Sequence, residues 1–498
     1  MTTQGSTRSI DLDHLETYIH TTMTQWDIPG LSLSIVKDGQ IIVAKGYGTR
    51  EVGKNLPVDQ YTLFPITGGS RLFTASALAL LVAEGRLCWE DRLVDLLPGF
   101  KTGSELINQE ATLIDAMAMR IGLPGELLAS FPNPGLSRQE LLNKLQFLNR
   151  PVSFRDGLGS SFLMSVAAGE VIAAVTGISW DKFVWERLIK PLGMSTTITG
   201  PQWLPTRDNI AAPHDKSGDQ RVPSFHAATD NLGPAYSVYS NAADMAQWLK
   251  LHLDKGVVHQ QTEDNSTVAE GSVLIPEAQV DLMQKVHMGA SAGLPGYVAD
   301  LAGCGLGILI LTHRSGCRVY GYGGDTQGFE AFNVFVPELQ LGIAVMVNAH
   351  TAIPQRLIPW ILDRFTGLPE KDWINDTLGE LEQRYVTSPT EKLNQLRQEL
   401  TLSSQLPCLP LSAYEGVYQH SFLGDLTIYQ SGNTLAYTFG ETWEGELPHC
   451  NHNTFFREPV KPFYNRCFFR GPLRFNLDYA GTVESLTIEE GEFHKCKV

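Results

Sequence analysis

The sequence predicts a mixed α/β (α+β) protein: an antiparallel sheet flanked by helices, followed by a small C-terminal antiparallel β-barrel. Two observations support this prediction. Strand-like segments at residues 31–48 and 305–348 enclose a helical region, which indicates one sheet built from both ends of a domain. From Ala413 onward, short strand-like segments are separated by Gly and Asn turns, which is typical of an antiparallel β module.

The first predicted elements are a β-hairpin and a buried helix. Residues 31–48 form two arms rich in Val and Ile that meet at Asp38-Gly39, a strong signal for a tight turn. Residues 72–84, LFTASALALLVAE, are apolar on almost every face, so we expect their helix to lie inside the protein. Gly85 is expected to end it.

Helices follow from residue 137. One is predicted to start at Ser179 and to stop before Pro191, and another to start near Asn241. Strands return over 305–348 in the segments GLGILILTH, CRVYGYGG, FEAFNVFVP and LGIAVMVNA.

A polar helical connector separates this part from the β module. It contains Ser388-Pro389-Thr390-Glu391, a capping box with Pro at the first helical position. We therefore divide the chain into a first domain at 1–370, a connector at 371–410 and a barrel domain at 411–498.

Charge and composition exclude several classes of partner. The 498 residues carry a formal net charge of −16, spread along the chain, and no basic stripe of the kind that binds nucleic acid. The N-terminal segment lacks the apolar core of a signal peptide, and no apolar run reaches the length of a membrane span. The seven scattered cysteines fit reduced thiols. We expect a cytoplasmic protein without nucleic-acid or membrane partners; the oligomeric state stays open.

Several segments follow one another in the order of a known family. They are IPGLSLSIVKDGQIIVAKGYG, TLFPITGGSRLFTASALALLVAEG, VTGISWDKFVWERLIKPLGM, GPAYSVYSNAADMAQWLKLHL and YGGDTQGFEAFNVFVPELQLGIAVMVN. In these segments the chain resembles the serine β-lactamase and penicillin-binding-protein superfamily, in its class C, esterase-like branch. The likeness covers about residues 10–365. Residues 413–498 resemble the lipocalin-like module often appended to such proteins.

The resemblance implies a catalytic site whose reactive groups have changed. The family places Ser-x-x-Lys at the start of a buried helix, where this chain has Gly68 and Arg71. The second motif, Tyr-x-Asn, falls on Ser160, Ser161 and Phe162. The third motif, Lys/His-x-Gly, falls on Tyr322-Gly323-Gly324, and the His usual before xxGLP falls on Met119.

The altered positions still form a plausible site for acid–base chemistry. Arg71 supplies a permanent cation, Tyr322 a phenol that can relay a proton, and Asp325 (or, as an alternative, Asp230) a carboxylate base. The resemblance implies that the backbone N–H groups of Gly68 and Asp325 form an oxyanion hole. The predicted catalytic residues are therefore Arg71, Tyr322 and Asp325. The predicted substrate-binding residues are Gly68, Ser70, Met119, Ser160, Phe162 and Gly324.

Other matches to the motifs have simpler interpretations. Ser34-Ile35-Val36-Lys37 is a literal Ser-x-x-Lys, but it lies in a predicted strand, where side chains alternate between faces. Ser179 reads as a helix cap, and so does Asn241 in the literal Tyr239-Ser240-Asn241. The cluster of His449, Cys450 and His452 is weak support for a metal site.

Three functions stay open on the sequence. We favour a non-hydrolytic enzyme that performs isomerase-, cyclase- or lyase-type acid–base chemistry on an apolar small molecule of specialised metabolism. The alternatives are a catalytically inactive binding protein, and an ester hydrolase or acyltransferase with a non-standard serine. No cofactor and no metal are implied.

Overall fold

The structure, a computed structural model, falls into two compact units. One contains most of the described residues up to 375, and the other those from 388 onward. The predicted division at 370 and 410 stays a prediction. The described residues are 10–123, 135–148, 153–159, 162–217, 220–258, 271–289, 300–375, 388–401, 406–440, 443–459, 471–489 and 491–496.

An eight-stranded antiparallel sheet forms the centre of the first unit. Its strands are β1 (Gly30–Lys37), β2 (Gln40–Gly48), β3 (Met288–Gly289), β4 (Asp300–Cys304), β5 (Leu309–Thr312), β6 (Arg318–Thr326), β7 (Phe329–Val336) and β8 (Leu341–Val347). They lie in the order β2-β1-β8-β7-β6-β5-β4-β3. The pairing of β1 with β8 confirms that strands from both ends of the domain form one sheet.

The predicted hairpin and buried helix are both present. Asp38 and Gly39 take positive φ angles of 48° and 73°, as a type I′ turn requires. The helix begins at Ser70, two residues earlier than the apolar run predicts, because a 3₁₀ turn at Thr67–Gly69 leads into it.

The described residues include six longer helices. They are α1 (Leu12–Gln25), α2 (Ser70–Ala83), α3 (Phe162–Thr176), α4 (Ala242–Leu253), α5 (Pro354–Thr366) and α6 (Ser388–Thr401). Shorter helices lie at Leu93–Leu96, Glu105–Glu110, Leu113–Met117, Arg138–Asn143, Trp180–Val184, Gly233–Tyr236 and Glu277–Met283. Short 3₁₀ turns occur at Lys144–Phe147, Pro201–Thr206, Asp230–Leu232, Pro337–Leu339 and Leu411–Ala413.

The helix predicted between Ser179 and Pro191 is only partly regular. Its α-helical part is Trp180–Val184, capped by the Ser179 side chain, and Trp185–Ile189 forms a π-helical turn. The coil widens just before Pro191, which has no N–H to extend an α-helical ladder.

The remaining strands of the first unit are short pairs. They are Phe64–Pro65 with Tyr239–Ser240, His214–Ser217 with Gln220–Pro223, and Val257–Val258 with Ser272–Val273. Within the described ranges, no single helix has the length and apolarity to cross a membrane, although the bent pair of 162–176 and 180–189 meets those criteria together.

The second unit is a closed barrel, as predicted. Its strands are β9 (Gly416–His420), β10 (Gly424–Ser431), β11 (Thr434–Phe439), β12 (Trp443–Leu447), β13 (His449–Asn451), β14 (Thr454–Pro459), β15 (Gly471–Leu477), β16 (Val483–Ile488) and β17 (Gly491–Lys495). The order is β12-β11-β10-β9-β17-β16-β15-β14-β13, and the pairing of β12 with β14 closes a ring of eight strands. The connector helix α6 is present, but the side chains of its capping box lie outside the described residues.

Candidate functional site

The turn before α2 brings Gly68 against β6. Helix α2 is buried along 12 of its 14 residues, so this end of the helix is fixed inside the unit. A Cβ atom at Gly68 would lie 2.5 Å from Tyr322 Cε1 and 2.6 Å from the Gly323 carbonyl oxygen. Since real Cβ contacts are not that short, the phenol ring of Tyr322 occupies the space where a side chain at position 68 would stand.

Tyr322 is held in this position from two sides. It lies on β6, and its hydroxyl is 3.4 Å from the Met119 sulfur. Met119 is buried and has a φ of 56°, and Thr67, the neighbour of Gly68 in the chain, has a φ of 49°. Positive φ is rare for side-chain-bearing residues and for β-branched ones above all, so two strained backbone positions flank the ring.

Arg71 is a buried cation between two aromatic rings. Its side chain is only 1% exposed, and its guanidinium carbon lies 4.7 Å from the Phe162 ring centre and 5.1 Å from the Tyr322 ring centre. Cation–π contacts of this kind are worth about 2 kcal/mol when they are shielded from water. Arg71, Phe162, Tyr322, Met119 and Gly68 are therefore brought together as one packed group.

The positive charge of Arg71 affects the pKa of the neighbouring Cys304 thiol. Burial raises the pKa of Cys304 to about 12, and the nearby positive charge of Arg71 acts in the opposite direction. Cys304 is therefore held as an uncharged thiol and is a poor nucleophile.

Of the two predicted serines, only Ser70 lies among the described residues. Its hydroxyl donates to the Thr67 carbonyl oxygen at 2.8 Å and accepts from the Val238 N–H at 3.0 Å. The side chain is fully buried. This hydroxyl ties two backbone segments together, and its predicted contact with substrate stays a prediction. Ser160 lies outside the described residues.

Asp325 and His350 form a second group at the end of β6. The His350 Nε2 atom lies 2.6 Å from Asp325 Oδ2. The Asp325 side chain is 57% exposed and the His350 side chain only 15%. Gly324, just before Asp325, has a φ of 153°, which disfavours other residues there. His350 was not among the predicted site residues.

A buried carboxylate supports this pair. Glu330 on β7 lies opposite Asp325 in the strand register, and its carboxylate accepts from the N–H groups of Thr351, at 3.0 Å, and Ala352. Burial raises the pKa of Glu330; the charge of Asp325 adds to that shift, while His350 opposes it. His350 therefore lies close to two carboxyl groups.

Tyr236 joins the two groups. Its ring packs edge-on against Phe162, with the ring centres 5.2 Å apart. Burial raises the pKa of the Tyr236 hydroxyl well above its ordinary value, and the charge of Asp325 adds to the rise. A hydrogen bond from Thr326 opposes it. The phenol therefore stays protonated beside the carboxylate.

The other predicted candidates lie elsewhere in the unit. The Ser34 hydroxyl on β1 donates to the Ala242 carbonyl, and the Asn241 side chain caps α4 by accepting from the Asp244 N–H. Asp230 accepts from the Gln202 N–H at 2.7 Å, and burial raises its pKa. In the described parts of the chain, no group of three or more His, Cys, Asp or Glu side chains is arranged to hold a metal ion.

Three residues of the site were missed by sequence reasoning: Glu330, His350 and Tyr236. Glu330 lies on the strand after Asp325, and the pairing of β6 with β7 places it opposite Asp325. His350 lies farther along the chain, after β8, and the pairing of β7 with β8 brings its segment back to Asp325. The sequence signal that could have identified Glu330 and His350 was their position at the ends of predicted strands next to the third motif. Tyr236 carried no motif signal.

Two family profiles match parts of this chain. The sequence profile described as Beta-lactamase matches residues 15–367, and a domain of unknown function, DUF3471, matches residues 403–497. The first profile covers well over half of the chain.

Among curated proteins, Protein flp of Staphylococcus aureus strain NCTC 8325 / PS 47 is 24% identical over 355 residues, which cover 69% of this chain and 64% of Flp. The chain thus spans less than two thirds of that relative. The unguisins hydrolase ungD' of Aspergillus campestris is 24% identical over 451 residues, covering 86% of this chain and 79% of the relative.

Among solved structures, the octameric penicillin-binding protein homologue from Pyrococcus abyssi has a similar fold. It aligns with a TM-score of 0.60 and 19% identity, covering 98% of this chain and all of that chain. At this identity the likeness concerns the fold alone. It agrees with the predicted β-lactamase/transpeptidase-like sheet flanked by helices.

Proposed function

Because this chain belongs to the beta-lactamase family, we propose that it uses the family's cleft without forming an acyl-serine. In this proposal it performs acid–base chemistry of the isomerase, cyclase or lyase type on an apolar small molecule. The observation that carries the proposal is the 2.5 Å distance between Tyr322 Cε1 and a Cβ atom at Gly68. A serine cannot stand at that position while the ring is there, and an acyl group could not be attached there.

The groups that remain favour proton transfer. The pair of Asp325 and His350 provides a carboxylate and an imidazole in hydrogen-bond contact at 2.6 Å. The rings of Phe162 and Tyr236, whose centres lie 5.2 Å apart, and the ring of Tyr322 supply an aromatic wall in this proposal, which suits an apolar substrate. A carboxylate or imidazole positioned in this way typically contributes about 10²- to 10⁴-fold to a proton-transfer step.

One observation favours a second candidate, a binding protein without catalysis. Arg71 is 1% exposed, and its guanidinium carbon packs against the Phe162 and Tyr322 rings, so this buried cation is already partnered by side chains of the protein. Under this alternative a ligand would bind over the aromatic wall and leave unchanged.

The third candidate, a hydrolase with a non-standard serine, receives less support. The Ser70 hydroxyl is fully buried and bonded at both ends to backbone groups, and no base lies among its hydrogen-bond partners. A serine without a neighbouring base is a weak nucleophile.

A covalent-labelling experiment tests the proposal. The full chain is incubated with a fluorophosphonate and with an activated aryl ester, and intact mass is recorded alongside a serine β-lactamase as positive control. We expect no added mass on any residue of the cleft. A stoichiometric adduct that peptide mapping places on a cleft hydroxyl would contradict the proposal.

A second measurement separates catalysis from binding. Apolar compounds that co-purify with the chain are identified by native mass spectrometry and returned to the protein in D₂O. Acid–base catalysis should place deuterium in the compound or convert it, whereas binding alone should leave it unlabelled.

A further inference from the structure

The pairing of Asp325 with His350 has the geometry of a base and its partner. Asp325 is the exposed member, at 57%, while the His350 side chain is 15% exposed and contacts Asp325 Oδ2 through Nε2. A substrate arriving from solvent would therefore meet the carboxylate first. The imidazole behind it can donate to the carboxylate and can carry a positive charge.

The segment that carries His350 is fixed by a buried group. Glu330 accepts hydrogen bonds from the N–H groups of Thr351 and Ala352, the two residues that follow His350. Glu330 is itself fixed on β7 opposite Asp325. The same strand pair thus sets the positions of both members of the pair, which is the preorganisation that proton transfer requires.

An apolar wall stands next to this pair. Tyr236 is buried, shares a hydrogen bond with Thr326, and packs its ring against Phe162 at 5.2 Å. Among described residues, the titratable groups that face Asp325 from neighbouring elements include Glu330 from β7, His350 from the segment after β8, and Tyr236 from the helix at 233–236.

We infer that Asp325 is the proton acceptor of this site, that His350 is the positioning residue that sets its protonation, and that the substrate is an apolar carbon acid. This inference rests on the proposed function. In the step, the substrate C–H bond breaks, its electron pair stays with the carbon, and the proton passes to the Asp325 carboxylate. Return of the proton to another carbon of the same molecule restores the aspartate, so no oxidant or co-reactant is needed.

The test uses 5-nitrobenzisoxazole, an apolar carbon acid. Removal of its ring proton breaks the N–O bond and releases a coloured cyanophenolate, so the reaction reports a base in an apolar site without knowledge of the natural substrate. We expect the full chain to accelerate this ring opening over buffer. Asp325→Asn should lower kcat/KM about 10²-fold, Asp325→Glu should restore part of it, and the exposed Asp38→Asn should leave it unchanged.

The test of His350 uses the pH–rate profile, because a purely structural role of this residue would not shift that profile. In His350→Gln the amide can still donate to Asp325 but cannot carry a charge, so protonation of the carboxylate is no longer opposed. We expect the acid limb of the pH–rate profile to move to higher pH. His14→Gln, at a surface histidine 3.9 Å from Glu370, is the matched control and should leave the profile in place. Thermal unfolding of each variant checks that folding is intact.

The outcomes distinguish the inference from the proposed function. An unchanged rate in Asp325→Asn, an unmoved profile in His350→Gln, or no acceleration by the wild-type chain would each overturn the inference. None of these results would indicate that an acyl group forms on a residue of the cleft. A covalent adduct on a cleft hydroxyl, in contrast, overturns the proposed function whatever the elimination assay gives.

Discussion

Residue 68 has no side chain, and the Tyr322 ring occupies the space that a side chain at this position would fill. The ring lies 2.5 Å from where a Cβ would be, so the glycine is required as long as the tyrosine stays in place. The same ring forms one side of the sandwich around Arg71 and contacts Met119. A substitution at position 68 therefore acts on the whole packed group.

We predict that Gly68→Ala destabilises the fold by about 1–3 kcal/mol, because the new methyl group must displace both the ring and the Gly323 carbonyl. Tyr322→Ala in the same chain should remove the part of that cost that comes from the ring, while the clash with the Gly323 carbonyl oxygen, at 2.6 Å, remains. Urea unfolding of the two single variants and the double variant measures the coupling.

The matched control is Gly289→Ala, where a Cβ would meet nothing within 4 Å. It should change stability far less than Gly68→Ala. Additive effects of Gly68→Ala and Tyr322→Ala would mean that the ring does not fill this position in solution.

Ser70 gives a second prediction at the scale of one residue. Its hydroxyl links the Thr67 carbonyl to the Val238 N–H inside the protein. Ser70→Ala leaves that buried N–H without its acceptor and should cost about 1–3 kcal/mol in the free energy of unfolding. Fluorophosphonate labelling should be the same before and after the change; loss of labelling in Ser70→Ala would instead identify this serine as a nucleophile.

At the scale of elements, the packing of α4 on the sheet depends on a neutral histidine. His252 is 1% exposed; its ring stacks on Phe335 of β7 at 5.3 Å and meets Trp248 edge-on at 4.6 Å. Burial lowers the pKa of His252 from 6.5 to about 3. The contact between helix and sheet is thus made by an aromatic ring that must stay uncharged.

This arrangement makes the contact acid-sensitive. Below about pH 6.5 the unfolded chain takes up a proton at His252, whereas the folded chain does not until about pH 3. The contribution of His252 to the free energy of unfolding is therefore fully present above pH 6.5 and is lost as the pH falls toward 3. We predict that His252→Phe removes up to about 2 kcal/mol of the stability difference between pH 7.5 and pH 5.

Urea unfolding at the two pH values measures this difference for wild type and variant. His20→Phe, at a histidine whose side chain is 66% exposed, is the control and should keep the wild-type difference. An equal pH dependence in His252→Phe and wild type would show that this ring does not carry the acid sensitivity.

At the scale of the whole molecule, the two units differ in whether their sheets have open edges. The sheet of the first unit ends at β2 and β3, whereas the eight strands of the second unit close on themselves through the pairing of β12 with β14. A closed ring satisfies the backbone of every strand within the ring and leaves no edge for other chains.

We therefore predict that residues 406–498 fold when expressed alone. The expected result is a monomer with a β-type circular dichroism spectrum, dispersed amide resonances and a cooperative thermal transition. Residues 406–447, which lack strands β13–β17 and cannot close the ring, are the control and should remain unfolded or aggregate. A disordered 406–498 fragment would mean that the barrel depends on the rest of the chain.

The sequence by itself determined the elements and their order. Alternation in 31–48, the apolar run of 72–84 and the turn at Asp38-Gly39 are local patterns, and local patterns fix periodicity and turn type. The resemblance to the β-lactamase superfamily identified Gly68, Arg71 and Tyr322 as the residues at the family's reactive positions. The strand and turn pattern after Ala413 indicated an antiparallel β module, and the resemblance to a lipocalin-like module predicted that it forms a barrel.

Only the tertiary structure decided which of these side chains meet. Spacing along the chain does not indicate that the Tyr322 ring fills the place beside Gly68, or that Arg71 lies between two rings. It also does not join Asp325 to His350, because that contact depends on the register of β6, β7 and β8. The physical reason is that register and close packing are set by contacts between distant segments, while periodicity is set by neighbours in the chain.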